Sequence, residues 1–115
     1  MDSTIRSKVW VSNFSGHDYT KLSRFGEIRF ITRGFVAFDT LDRVKYTVAE
    51  GMIEVEENDY LALSGASIIG VIAAILWYIR FKKVQVLNYD KLTQDYRDIT
   101  LDGDSIELLT KTLQV

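Results

Sequence analysis

The chain has 115 residues, a formal net charge of −2, 47% hydrophobic residues, and neither cysteine nor proline. This length implies one domain, residues 1–115, with a real core, and the slightly acidic balance argues against a nucleic-acid binder, which carries a basic surplus. Without cysteine there is no disulfide framework and no thiolate metal site, which fits a reducing compartment, and the polar start MDST has no signal-peptide pattern.

Residues 8–13, KVWVSN, alternate and are rich in β-branched side chains, which predicts a first strand after a short disordered lead. The polar loop Phe14-Ser15-Gly16-His17-Asp18-Tyr19 follows. Asp18 or Thr20 would cap a short helix with Tyr19, Leu22 and Phe25 as its apolar positions, closed by Gly26. Residues 27–32 alternate charge with apolar side chains, as a half-exposed edge strand does. After the turn at Arg33-Gly34 comes an apolar connection, 35–38. Asp39 or Thr40 would cap a helix over 41–53 whose apolar line is Leu41, Val44, Val48 and Met52. The acidic run 54–59 reads as helix end and solvated loop.

Residues 58–89 form the centre of the chain. Tyr60-Leu61-Ala62-Leu63 reads as a strand, Ser64-Gly65 as a turn, and 66–81 as a helix with Arg80, Lys82 and Lys83 at its C-terminal end, where the macrodipole favours cations. Val84-Gln85-Val86-Leu87 is a further strand, so the stretch is a βαβ unit. The helix is apolar all round. Ile68, Val71, Ile72, Ile75 and Ile79 gather on one side, which is expected to cover the sheet. Ala66, Gly70, Ala73, Ala74 and Trp77 occupy the other, where small residues would let a second copy approach closely, predicting a homo-oligomer.

Residues 60–79 also contain no charge, a length that would span a bilayer. The internal turn and the matching strands elsewhere favour the βαβ reading over a membrane span. Residues 96–101 predict a strand paired as a hairpin with the preceding one. Asp102-Gly103-Asp104 breaks the chain, and 105–113 can form a short helix.

This alternation predicts an α/β fold: a small three-layer sandwich with a mostly parallel sheet, order 2-1-3-4 plus a C-terminal hairpin strand. The core is residues 8–101 and the tail 102–115. Strands one and three then flank a topological switch point, where open α/β sheets leave a crevice. The loops around it nominate Asn13, Ser15, Gly16, His17, Asp18, Tyr19, Arg33, Ser64, Gly65 and Ser67 as ligand-binding residues, the second loop opening a helix whose N–H groups would face an anion. Tyr89 falls on the same edge.

Each candidate also has a structural reading: His17 as a surface residue, Asp18 as a helix cap, Gly16 and Gly65 as turn glycines, Arg33 as a solvated strand end, Tyr19 and Trp77 as core. Ser64-Gly65-Ala66-Ser67 has neither the lysine nor the second glycine of a Walker loop. One histidine without spaced carboxylates makes no metal site, and no serine lies in a nucleophile elbow. No catalytic residue, metal or cofactor is expected, so a non-enzyme is the better reading.

The segments VSNFSGHDYTKLSRFGEIRFITRG, NDYLALSGASIIGVIAA and VQVLNYD resemble small proteins encoded by tailed bacteriophages and prophages, over about residues 8 to 90. The GHDY and RFGE blocks carry most of that resemblance. It implies a phage origin and action in the host cytoplasm, and it brings no assigned activity. The resulting expectation is a non-catalytic binder or sequestrant of a small anionic ligand, such as a nucleotide of host-defence signalling. The alternative is an oligomeric interaction protein that blocks or scaffolds a host or phage protein, and a further alternative is a single-span membrane protein.

Overall fold

The computed structural model describes residues 7–34 and 41–114, Leu41 by its backbone alone. The lead before the first strand, the connection 35–38 and the cap expected at Asp39 or Thr40 therefore lie outside the described residues. Strands β1 (Lys8–Phe14), β2 (Glu27–Arg33), β3 (Tyr60–Ala62), β4 (Lys83–Asp90) and β5 (Asp95–Asp102) form one sheet in the order β2-β1-β3-β4-β5. The first four are parallel and β5 pairs antiparallel with β4, as the strand and helix order predicted.

Chirality distributes the connections. The step from β1 to β2 moves one way across the sheet, and the next two steps move the other way. Right-handed crossovers then put the 3-10 turn Thr20–Arg24 on one face, and helices α1 (Leu41–Gly51) and α2 (Ser67–Phe81) on the other. The side-chain alternation of the strands confirms this division. Trp10, Ile31, Leu61, Val84 and Val86 pack with Val44 and Val48 of α1 and with Ile69, Ala73 and Trp77 of α2. Val9, Val11, Ala62 and Leu87 point the other way, toward Tyr19, Leu22 and Tyr96. Among the described residues, the second face thus has a short turn as its cover.

Helix α2 is rotated relative to the sequence expectation. Its buried side is Ile69, Gly70, Ala73 and Trp77, while Ile68, Val71, Ile75 and Ile79 are exposed, Ile79 by 61%. Of the small-residue side assigned to an oligomer interface, Gly70, Ala73 and Trp77 are buried toward the chain's own core, whereas Ala66 and Ala74, with Gly70, also line a surface groove. Ala66 and Ala74 are half-buried against that core. The cause is distance. A Cβ on Gly70 would lie 2.9 Å from the Leu63 Cδ2 methyl, so glycine spares that side chain a shift where the helix passes the end of β3, and the buried Trp77 fills the space farther along.

Local signals fix the ends. Lys82, in the left-handed region with φ 60°, donates its N–H to Tyr78 O and closes α2. Helix α3 (Gly103–Thr112) starts two residues before the expected 105. Asp102 and Ser105 form a reciprocal capping box, so the predicted break is in fact a helix start. The twenty uncharged residues 60–79 are divided among a strand, a turn and a helix. Among the described residues no helix is long and apolar enough to cross a membrane.

At the amino end of the sheet the Asp59 carboxylate, 3% exposed, accepts the Lys8 N–H at 2.9 Å, the Trp10 indole N–H at 3.0 Å and the Glu56 N–H at 2.9 Å. These bonds tie the start of β1 to the entry of β3. Replacing Asp59 by Ala leaves three donors unpaired and is expected to cost about 3 kcal/mol in urea unfolding, with Asp59→Asn falling between. Loss of less than about 1 kcal/mol in the alanine variant would show that the carboxylate does not hold this end together.

Candidate functional site

The carboxyl ends of β1 and β3 open into a cleft of about 480 Å³ lined by His17, Asp18, Tyr19, Leu63, Ser64, Gly65, Tyr89, Lys91 and Tyr96. It lies where the strand order reverses, because the chain leaves β1 toward β2 and leaves β3 toward β4. One wall is the loop after β1 with the turn after β3, and the other is the β4–β5 hairpin. The hairpin is held by Arg24, which donates to Tyr96 O at 3.0 Å and pairs with Asp95 at 3.1 Å, and by Lys21, which donates to Gln94 O.

Hydroxyl groups join the two loops. Tyr19 Oη lies 2.7 Å from Ser64 Oγ and 3.1 Å from Ser15 Oγ, the two serine hydroxyls are 3.0 Å apart, and the Ser15 N–H donates to Tyr19 Oη at 3.1 Å. Below them Ser12 Oγ donates to Ser64 O and accepts the Ser64 N–H, both at 2.8 Å, so the turn after β3 is pinned to β1. Burial opposes ionisation of the Tyr19 phenol, but hydrogen bonds from the Ser15 and Ser64 hydroxyls and from backbone N–H groups outweigh it and lower its pKa. Tyr96, across the cleft, is raised by burial first and then by Tyr19, Tyr89 and Asp18.

The expected residues divide among several places. His17, Asp18, Tyr19, Ser64 and Gly65 line the cleft, and Ser15 belongs to the hydroxyl group beside it. Asp18 also accepts the Thr20 N–H at 3.0 Å, which lowers its pKa and holds the turn, but it is not the helix cap expected of it, because Tyr19 is the N-cap of the 3-10 turn and no side chain caps it. Gly16 is exposed at φ 87° with no neighbour within 4 Å of a built Cβ, as in a turn. Asn13 is buried and accepts from Thr32 Oγ1 at 2.9 Å. Ser67 lines a separate groove beside α2.

Arg33 is not part of the cleft. It stacks 4.6 Å over the Phe30 ring and lines a surface groove at the β2 edge with Glu50 and Glu54. Gly65 is structural as well as open: at φ 74°, a Cβ there would lie 2.7 Å from Asn13 Nδ2, so a side chain would force the two loops apart.

Tyr96, Lys91 and Leu63 were absent from the sequence candidates, and Tyr89 was placed only on the edge. A signal for the tyrosines existed. They face each other in the hairpin register, with ring centroids 5.3 Å apart, and counting outward from the turn 91–94 pairs them. Among the described residues no cluster of histidine, cysteine or carboxylate side chains is arranged to hold a metal.

In an ultraviolet pH titration Tyr19 is expected to ionise below an ordinary tyrosine and Tyr96 above it. Tyr19→Phe removes the early component and Tyr96→Phe the late one. By linkage the lowered Tyr19 contributes stability that is present above the ordinary phenol pKa and lost as pH falls through its own value. The raised Tyr96 contributes stability that is present below the ordinary value and lost as pH rises through its own. A Tyr19→Phe curve that superimposes on the parent would refute the hydroxyl arrangement.

A family model described as Phage Pam3 gp32-like protein matches residues 5–103. No curated protein and no solved structure matches the chain. The match spans the whole sheet and both covering helices, and the chain belongs to the Phage Pam3 gp32-like protein family.

Proposed function

We propose that this phage-family chain is a non-catalytic binder of a small anionic ligand, of which nucleotides are the best-fitting class. The observation that carries the reading is the cleft between β1, β3 and the β4–β5 hairpin, with Tyr89 at 43% exposure and Lys91 exposed on its lining. Clefts at a switch point are the usual ligand sites of open α/β sheets. A planar ring packs on Tyr89, His17 supplies a further aromatic edge, and Lys91 meets a phosphate. The Ser15 and Ser64 hydroxyls and Tyr19 Oη offer donors and acceptors for a sugar or base. A nucleotide of host-defence signalling remains the class suggested by the phage context, with sequestration in the host cytoplasm as the mode of action.

Catalysis is not part of this reading. The cleft contains one histidine, and its neighbour Asp18 is engaged with Thr20 N–H, so no acid–base pair is assembled.

Calorimetry of the whole chain against linear and cyclic nucleotides, with free nucleosides and inorganic phosphate as separate arms, tests the proposal. At least one nucleotide is expected to bind with a dissociation constant at or below about 100 µM, and Tyr89→Ala and Lys91→Glu are each expected to weaken it about tenfold, or ~1.4 kcal/mol, with the parent circular dichroism retained. Binding of a nucleotide that neither substitution changes would place the ligand elsewhere. No binding by any arm at millimolar concentration would remove the proposal.

A further inference from the structure

The outer surface of α2 combines two features. Ile68, Val71, Ile75 and Ile79 form an exposed ridge, with Ile75 at 55% exposure. Beside it runs a groove of about 500 Å³ between the flank of α2 and β4–β5, with Val71, Ala74, Val86, Ile99 and Leu101 among its lining residues. Among the described residues, none that lines that groove is charged. Two crossover helices cover β1, β3 and part of β4 on this face, and Ile99 on β5 is left 56% exposed. Helix α3 begins near Tyr78 of α2 and has no buried residue of its own, leaving Leu108 and Leu109 exposed.

From this face the geometry points to a two-fold dimer in which the α2 ridge of one copy seats in the α2–β5 groove of the other. Three observations select a second copy over another partner. A two-fold contact uses one patch on both subunits, so the patch must complement itself, and a ridge lying alongside a groove on one face does so. Lack of charge in the groove removes like-charge repulsion across the axis and gives a charged peptide nothing to pair with.

The third observation is area. The exposed parts of Leu63, Ile99 and the four ridge residues amount to on the order of 500 Å², at the upper end for the largest apolar patch of a monomer. Burying this patch on both subunits covers on the order of 1,000 Å² in total, the lower bound for a specific interface. The groove adjoins the ligand cleft through Leu63, Ser64 and Gly65, but the inference does not rest on what the cleft binds.

Val71 belongs to both ridge and groove and therefore lies closest to the axis. The chain has no cysteine, so a single introduced thiol reports on that geometry. Sedimentation of the whole chain at micromolar concentration is expected to give twice the 13.2 kDa of one chain. The exposed-site double variant V71K/I75K should halve that mass while keeping the parent circular dichroism. Val71→Cys should form a disulfide-linked dimer on mild oxidation, whereas Tyr46→Cys on exposed α1 should not, a contrast that holds even where the lysine variant fails to fold. A parent chain that sediments as a monomer overturns the inference, and so does a folded V71K/I75K that remains dimeric. A monomer that floats with phosphatidylcholine vesicles assigns the face to lipid and overturns it equally.

Discussion

The Asp59 carboxylate is buried between the first residues of β1 and the loop entering β3, where three N–H groups converge on it and the Lys8 ammonium lies 3.6 Å away. An unpaired charge at that depth costs several kcal/mol, so the donors cannot drift from it. The register follows from this pin. With Lys8 and Trp10 held at Asp59, Val9 stands opposite Tyr60 and Val11 opposite Ala62. At three residues, β3 is too short to set its own alignment by ladder bonds alone. Lys8 also pairs with Glu56, so the loop is held on both sides of the buried group.

At the other end of the same two strands, polar groups hold the backbones together just where they part. Ser12 grips the turn after β3 through two hydrogen bonds, Asn13 sits against Gly65, and Thr32 bonds to Ser12 O at 2.8 Å. A parallel sheet gives no hairpin to close this end, so side chains from β1 take over that role. The outcome is a rigid floor beneath Tyr19 and Ser64, with a cleft left open above because the two loops leave in opposite directions.

The two faces of the sheet are unequal in cover, and both surface features trace to that inequality. The connection after β1 is too short for a full helix, so Tyr19, Leu22 and the Tyr96 side of the hairpin close that face together. On the other face two helices serve five strands, and the β4–β5 end is left with Ile99 and Leu101 beside the open flank of α2. The ligand cleft and the apolar ridge are thus separate consequences of one topology.

The order of strands and helices, the hairpin position of β5 and the strand order across the sheet were legible in the residues. Alternation, the turn residues and the right-handed crossover depend on local geometry and chirality alone. Five cleft residues were legible for the same reason, since the switch point follows from strand order. The facing of α2 was not. A helix apolar on every side carries little angular bias, and the side that packs is the one whose small residues let it approach the sheet; that depends on Leu63 meeting Gly70 in space. Arg33 was misplaced because its strand end says nothing of its direction, which stacking on Phe30 and Phe14 decides. Lys91 and Tyr96 reach the cleft only because the hairpin folds back beside residues more than seventy positions earlier in the chain, a contact carried by Arg24 and Lys21 that no local pattern encodes.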